Sequence, residues 1–589
     1  MNYAFSSRVQ PGFQLKLEGW RARFMLIALG AGFALLLVRA FYLQGLNTNF
    51  LQAKGEARFT RVVEMPASRG PVMDRNGVPL AISTPVESIW ISPSEVEITA
   101  GQVAVLARVL NINHKELADK FKDDSKNFVW LKRQISPEQA ARVMALKIPG
   151  LFQQREYRRY YPQGEVMAHV IGFTGVDDNG QEGIELSQQK WLTGSPGSRR
   201  VIKDRKGRIV EDIENLKAPR EGKGLTLSID QHLQYLAHRE LKAAVEANKA
   251  KGGAVVVLDA RSGEVLALVN QPDYNPNNRA SMTGKQTRNR SVTDVFEPGS
   301  TFKPFAIATA LEAGLVTPKT VFQTGASFAI GGRSISDTHP HTSLSVAQII
   351  QKSSNIGTAK IALQLPAEHL WRIYSDLGFG APTDTGFPGE ASGKLRAWKG
   401  WRPIEQATMS YGYGLNVSLL QLARAYTLFS NEGQLLPVTF IKRENAVIGR
   451  QIFSPKTARI MSAMLETVVQ AGGTAIKGQV PGYRVAGKTG TARKLVNGQY
   501  VGDAHTAVFA GYGPVSNARF VIAVSIDEPT AGKYAGGDVA APVFAAIMAG
   551  ALRQFSIAPD AQVREASTTP LLPIKPTALA PGNLLQERG

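Results

Sequence analysis

The apolar positions of this chain fall into three regimes. Residues 24–38 run without a charge as FMLIALGAGFALLLV, and residues 40–43 prolong the run past Arg39. A hydrocarbon core of about 30 Å takes roughly 20 mostly apolar residues in a helix, and this stretch nearly supplies them. From about residue 45 to 222, short β-type runs alternate with turn signals such as Asp74-Arg75-Asn76-Gly77 and Asp178-Asn179-Gly180. One helical stretch, residues 137–147, interrupts them. Near Gly224 the pattern changes again. A helical period over residues 231–247 precedes two strand-like runs, 253–258 and 265–269, that flank a Ser262-Gly263 turn and predict a hairpin. Helical segments are expected to dominate residues 302–468. Strands return at 483–486, 505–511 and 520–526, before a last helix over 543–553. Strands early and late, with helices between, predict one sheet assembled from both ends of a domain. From about residue 558 to the end the chain is rich in Pro, Ala, Thr and Leu without period, which predicts a mobile tail.

Charge orients the apolar run. Arg8, Lys16, Arg21 and Arg23 precede it, and cationic flanks keep a segment cytoplasmic. Arg39 has a side chain long enough to reach the headgroups. A signal peptide's apolar region is usually shorter and no convincing small-x-small cleavage site follows Leu43, so the run reads as an uncleaved signal anchor rather than a signal peptide. Everything after about residue 45 then lies outside the cytoplasm. The formal net charge of +20 invites a nucleic-acid reading, but chromosomal DNA is absent from that compartment. The basic surplus, including Arg199, Arg200, Lys203, Arg205, Lys206 and Arg208, is expected to form a solvated face near anionic lipid or polymer. The absence of cysteine excludes a thiolate nucleophile and a zinc–thiolate site, and suits an oxidising compartment. With 589 residues, 43% hydrophobic and 20% charged, the chain has globular composition and length for two or more domains.

Three short motifs supply candidate chemistry: Ser300-Thr301-Phe302-Lys303, then Ser353-Ser354-Asn355, then Lys488-Thr489-Gly490. Each is weak alone, for S-x-x-K recurs at 187–190 and S-x-N at 125–127. Order and context select among the copies. Ser125 precedes every S-x-x-K, and Ser187 lies where no sheet-and-helix frame is expected. Only Ser300 follows a Pro298-Gly299 turn and opens an apolar helix. Residues three apart share a helix face, so Ser300 and Lys303 are expected to meet. A serine at a helix N-terminus also lies beside unpaired N–H groups that favour an oxyanion. The plainer use of such a serine is a cap.

Ser353 and Asn355, two apart, reach one site only from a turn; the alternative is a polar loop. Lys488-Thr489-Gly490 follows a β-type run, where glycine permits a peptide to dock along a strand edge. The alternative there is a strand-ending turn with a surface lysine. A histidine triad competes for the role of activating a serine, but none of the eight histidines stands in a motif such as G-x-S-x-G. His339-Pro340-His341 lacks a third ligand motif and reads as a loop rather than a metal site.

Taken together, the three motifs resemble those of the penicillin-binding proteins. Residues 69–77, RGPVMDRNG, resemble the N-terminal signature of the class B members. KTGTARK at 488–494, SYGYG at 410–414, and AGKY at 531–534 with Val543-Phe544 after Ala540-Ala541-Pro542 resemble the cell-division subclass. The similarity extends from the anchor to about residue 556. It implies an α+β multidomain protein with a single N-terminal transmembrane helix, a mixed α/β pedestal and a penicillin-binding transpeptidase domain. That last domain would hold a central antiparallel sheet flanked by helices, plus an all-helical subdomain. The expected divisions are a cytoplasmic tail 1–23, a signal anchor 24–44, a non-catalytic, dimerisation-type pedestal 45–222, a transpeptidase domain 223–556 and a flexible tail 557–589. The implied location is the bacterial inner membrane, with the catalytic domain periplasmic.

The resemblance also implies a peptidoglycan D,D-transpeptidase that cross-links stem peptides at the division septum. Ser300 would attack the D-Ala–D-Ala carbonyl of a stem pentapeptide, release D-alanine and pass the acyl group to a neighbouring amine. Lys303 would be the general base, Ser353 the relay to the leaving amine, and Asn355 a holder of the substrate amide. Lys488 would support Ser353, while Thr489, Gly490 and Thr491 line the substrate edge and the threonines bind the terminal carboxylate. The N–H groups of Ser300 and Thr491 would form the oxyanion hole. Implied partners are stem peptides on lipid-linked or nascent glycan, β-lactams, a polytopic septal glycosyltransferase and other division proteins. No cofactor, metal or nucleic acid is expected. A D,D-carboxypeptidase or β-lactam hydrolase, and a non-catalytic division scaffold, are the alternatives. A lysine base near neutral pH needs its pKa lowered by roughly 2 to 3 units, for which burial and the nearby cation of Lys488 are the expected causes.

Overall fold

The computed structural model describes residues 18–46, 60–122, 125–126, 128–203, 209–496 and 499–561. The expected cytoplasmic residues before 18, Arg205, Lys206 and Arg208 of the basic group, and the expected tail beyond 561 lie outside the described residues. The apolar run forms one helix, Gly19–Phe41, with no buried residue. At about 1.5 Å per residue its 23 residues are long enough to cross a hydrocarbon core. Arg39, in its last turn, lays its guanidinium over the Tyr42 ring at 5.6 Å.

Among the described residues the chain divides into two compact units, the smaller drawn from residues up to Ala67, Pro85–Glu156 and Ser195–Arg220. It holds a three-stranded antiparallel ribbon with Gly197–Lys203 between Thr60–Met65 and Ile209–Lys217. It also holds a small core of Ile89, Leu106, Leu110, Leu131 and Val143 beneath the helices Ala100–Leu110 and Pro137–Met144. The second helix starts as its sequence directs: Ser136 accepts the Gln139 N–H and Pro137 fills the first turn. It ends short of the expected residue 147 because Lys147 turns left-handed, at φ +48°, ahead of Pro149-Gly150.

The larger unit comprises Ser68–Thr84, Tyr157–Gly194 and the residues from Glu221 onward. Its centre is a five-stranded antiparallel sheet in the order Val265–Gln271, Gly252–Asp259, Phe520–Asp527, Gln499–Gly513, Ala486–Val496. The first two strands are the expected hairpin, with Gly263 at φ +71° in its turn. Both faces are covered, because strand residues alternate sides. Phe509 packs against Phe544 of the last helix, Ala541–Gln554, at 4.7 Å between ring centroids. Tyr512, three residues on and so facing the other way, donates to Ser462 Oγ of helix Pro455–Glu466 at 2.7 Å.

A buried charge cluster lies in the same unit. Glu185, fully buried, receives the Nε of both Arg69 and Arg159 at 2.6 Å, one on each carboxylate oxygen. Arg69 also donates to Gln189 and Thr193, and Arg159 to the Gly70 carbonyl. The RGPVMDRNG segment is thereby held by paired charges rather than by apolar packing alone.

Two expectations need correction. The span 302–468 is not helical throughout: Val321–Ile330 and Arg333–Ser345 form a long hairpin about Gly331-Gly332, both at positive φ. Its Phe328, Ile330 and Ile335 pack on Ile404, Ala407 and Tyr411, so the expected all-helical subdomain carries a β arm. The Gly-Gly dipeptide between runs of alternating polarity was the available hairpin signal. The second correction concerns Lys488-Thr489-Gly490, which lies inside the edge strand Ala486–Val496 rather than after a β-type run at 483–486.

Candidate active site

The turn that carries Ser300 is shaped by glycines and clamped from three sides. Gly299 adopts φ +53° and donates its N–H to Gly412 O at 3.1 Å. Gly412 itself sits at φ +86°, and a Cβ there would lie 2.1 Å from the Gly299 carbonyl oxygen. Thr301 Oγ1 donates to Pro298 O at 2.7 Å, and Tyr426 OH to Thr301 O at 2.8 Å. Residues 299–302 form a 3₁₀ turn, after which Lys303–Glu312 continues as an α-helix with Pro304 in its first turn. Phe302 locks the turn into the core through edge contacts with Phe305 and Tyr374.

The edge strand closes on this turn. A Cβ on Gly490 would meet Pro298 O at 2.7 Å and Thr301 Cγ2 at 2.9 Å, so only glycine permits the approach. Lys488, two residues earlier, faces the same side. Ser353 arrives from a third direction, in the left-handed conformation (φ +61°) that ends helix Val346–Lys352. Ser354 then caps Asn355–Ala362 by accepting the Gly357 N–H at 2.9 Å. Back-to-back helix ends make the sharp turn that the Ser-x-Asn spacing demanded.

Lys303, Ser353 and Lys488 converge. Lys303 Nζ donates to Ser353 O at 2.5 Å and lies 3.1 Å from Ser353 Oγ. Lys488 Nζ lies 2.9 Å from the same hydroxyl. Both lysines are fully buried, and among the described residues neither makes an ion pair. Burial pushes the Lys303 amine well below the ordinary lysine range, the Lys488 charge adds to this, and Asp337 opposes it. Burial alone brings Lys488 down to about 7. One hydroxyl proton shared between two amines of lowered basicity is a ready proton path. Ser300 is half-buried, and among the described residues its Oγ makes no hydrogen bond, to Lys303 or any other group.

The remaining motif residues are placed as follows. Asn355 donates from Nδ2 to Ser336 O at 3.0 Å, and among the described residues its amide oxygen accepts no hydrogen bond. Thr489 Oγ1 is 2.8 Å from Thr474 Oγ1, and Thr491 Oγ1 accepts the Gly536 N–H at 3.0 Å. Gly536 is obligatory there, since its Cβ would meet Val508 O and Gly490 O within 2.4 Å. A cavity of about 360 Å³ opens beside the far end of the strand, lined by Phe296, Glu297, Asn416, Arg493 and Lys494 among others. None of Ser300, Lys303, Ser353, Asn355 and Lys488 to Thr491 lines it, although Ala492, Arg493 and Lys494 do. Glu297, buried and raised in pKa by that burial, accepts the Gly414 N–H and the Tyr500 hydroxyl.

Asp337, Thr474 and Glu297 escaped the sequence reading because no motif names them; only their nearness to motif residues in space marks them. His339 and His341 lie on the hairpin, and no group of three or more His, Asp or Glu suited to a metal occurs among the described residues.

This arrangement, a serine turn and two buried lysines meeting at a second serine beside an open strand edge, defines a serine acyl-transferring enzyme of the penicillin-recognising class. The model of the penicillin-binding protein transpeptidase domain matches residues 253–549, and that of the penicillin-binding protein dimerisation domain matches residues 64–227. The chain belongs to the class B penicillin-binding proteins, and it is a peptidoglycan D,D-transpeptidase of septal cross-linking in cell division. It is 47% identical over 543 residues to the probable peptidoglycan D,D-transpeptidase PenA of Neisseria meningitidis, covering 92% of this chain and 93% of that one. It is 44% identical over 550 residues to the peptidoglycan D,D-transpeptidase FtsI of Escherichia coli, with the same coverage. Among solved structures, the apo transpeptidase domain of Burkholderia pseudomallei penicillin-binding protein 3 is 49% identical, with a TM-score of 0.53, covering 57% of this chain and 98% of that one. A peptidoglycan glycosyltransferase from Burkholderia ambifaria, also 49% identical, gives 0.52, covering 57% and 99%. Peptidoglycan substrates and β-lactams follow from the family, and the N-terminal helix fits a single-pass membrane anchor.

Proposed function

We propose that Ser300 is the acylated nucleophile, with Lys303 as its general base. The hydroxyl attacks the penultimate D-alanine carbonyl of a stem peptide, its proton passing to Lys303. As the tetrahedral intermediate collapses, the C–N bond breaks, and the leaving D-alanine amine takes a proton through Ser353, replenished from Lys303 or Lys488. An amine of a neighbouring stem then attacks the ester and restores the Ser300 hydroxyl. The N–H groups of Ser300 and Thr491 serve as oxyanion donors, each such donor contributing about 3 to 4 kcal/mol. Asn355 receives the substrate amide N–H on its free oxygen. Thr489 and Thr491 exchange their contacts with Thr474 and Gly536 for the terminal carboxylate.

The observation that carries this reading is the meeting of two buried, uncompensated amines at Ser353 Oγ. Residues 45–222 act as a non-catalytic pedestal and 223–556 as the catalytic domain, held periplasmic by the cationic flank of the anchor. A polytopic septal glycosyltransferase that delivers nascent glycan is the fitting membrane partner. Incubation with penicillin followed by peptide mapping and mass spectrometry tests the assignment. The adduct is expected on the peptide containing Ser300 and is lost in Ser300→Ala; an adduct on any other serine refutes it.

A further inference from the structure

The edge strand Ala486–Val496 is held unevenly along its length. Its first half is fixed by the Ser300 turn at Gly490 and by the Gly536 N–H at Thr491. The ladder to the next strand is regular as far as Arg493↔His505, then breaks, and resumes only at Leu495↔Tyr500. Lys494 thus stands opposite residues 501–504, and a mismatch of that size uncouples the pairing of the hairpin tip from the register of the sheet. Packing from below is thin as well. Beneath Ala492 and Lys494 the neighbouring strands bring Gly253, Ala254 and Ser525, and the cavity of about 360 Å³ takes up the remaining space.

Lys494 supplies what ladder and core do not. Its Nζ donates to both carboxylate oxygens of Asp527 at 2.8 Å and to Glu528 Oε1 at 2.6 Å. Asp527 pairs with Thr506 of the intervening strand, so the lysine reaches over one whole strand to the next. Its acceptors are themselves tied down: the Lys251 N–H donates to Asp527 O and the Glu528 N–H to His505 O, both at 2.9 Å. The Lys494, Asp527 and Glu528 side chains are 25%, 19% and 26% exposed, so water screens this cluster less than a surface ion pair. Burial opposes the Lys494 charge, yet the bonds to Asp527 and Glu528 outweigh it and raise the pKa of the amine.

We propose that Lys494 is a positioning residue for acylation, clamping the far end of the edge strand across the sheet and so setting the Thr491 N–H against the Ser300 turn. Only Ala492 and Arg493 separate the clamp from Thr491. A strand end free to lift over the cavity carries that N–H with it, and an oxyanion donor acts only where its geometry is held.

This inference rests on Ser300 as nucleophile and Thr491 as oxyanion donor, so the test first maps the adduct. The full-length protein in detergent is mixed with a fluorescent penicillin over a range of concentrations, which separates the binding constant from the first-order acylation constant. Lys494→Met is expected to lower the acylation constant about tenfold, part of the loss from removing a donor outright, and to leave binding within about threefold. Lys494→Arg, whose guanidinium reaches the same carboxylates, recovers acylation to within about threefold of the parent. Lys251→Met, which removes a cation from the same cavity but not from the edge strand, stays within about twofold. Asp527→Ala combined with Glu528→Ala matches Lys494→Met, and adding Lys494→Met to that pair slows acylation no further. A purely structural role lowers the thermal midpoint and the labelled fraction while the acylation constant of the labelled protein stays put, and that result overturns the proposal. So does a Lys494→Arg variant as slow as Lys494→Met, or a Lys251→Met variant equally impaired. Should Lys494→Met fail to fold, Lys494→Arg and the Asp527–Glu528 variant decide by the same constants. An adduct away from Ser300 overturns the proposed function itself, whereas a Ser300 adduct with an unmoved acylation constant overturns only the clamp.

Discussion

A buried lysine keeps its charge only where a carboxylate or several oxygen acceptors compensate it. Lys303 has two acceptors on Ser353 and no carboxylate in contact, so burial and the Lys488 charge shift it toward the free amine, well below the ordinary lysine range. Lys303→Arg preserves hydrogen-bonding capacity but cannot yield the free base. Stopped-flow acylation of this variant is expected to slow by about 10³-fold. Lys488→Gln acts on the same proton. Below about pH 7, Lys488 carries its proton and repels a second one on Lys303. Removing that charge raises the pKa of Lys303, so the acid limb of the acylation profile moves to higher pH. A limb that stays put, or moves down, counts against Lys488 as the repelling cation. At this scale the motif residues were legible from order and spacing, although Lys303 bonds Ser353 rather than the Ser300 it was expected to meet. Asp337 was not: one aspartate in a polar stretch looks like any other until the fold brings it near Lys303.

Elements meet at this site through glycines, and the cost of filling that space is calculable. Gly412→Ala places a methyl against the Gly299 carbonyl in a left-handed backbone. Overpacking and the left-handed penalty together are expected to cost about 3 kcal/mol, seen as a lowered thermal midpoint, with acylation slowed as the Ser300 turn shifts. Glu185→Gln leaves two buried guanidinium groups around a neutral amide and is expected to cost about 3 to 5 kcal/mol in denaturant melts. Periodicity read long, regular elements well: the helix Gln231–Ala247 and the hairpin Gly252–Gln271 stood out because 3.6- and 2-residue spacings persist through them. It failed at the arm Val321–Ser345, whose strands are mostly exposed and bear apolar residues on one face only near the Gly331-Gly332 tip, too few to mark a period. It failed also at the edge strand, whose Gly-Lys-Thr-Gly-Thr sequence has low strand propensity. Pairing with Gln499–Gly513, which no local pattern records, makes that segment a strand.

Across the whole chain, the anchor is separable from the chemistry in terms of packing. No residue of Gly19–Phe41 is buried, so a chain beginning after residue 45 forfeits no core contact of that helix. Such a protein is expected to bind penicillin within about twofold of the full-length rate in a labelling assay, while failing to support septation in cells. Loss of labelling on truncation refutes that independence. The order of strands in the catalytic sheet has a different reach. Two strands lie within residues 252–271 and three within 486–527, so Ser300 is made long before the edge strand that closes on its turn. At ribosomal speeds of about 5 to 20 residues per second, Ser300 precedes the last sheet strand by roughly 10 to 45 s. A nascent chain emerging anchor first therefore holds a serine and no site, and an antibiotic arriving in that interval finds nothing to inactivate. Each newly finished molecule becomes vulnerable only when it also becomes competent.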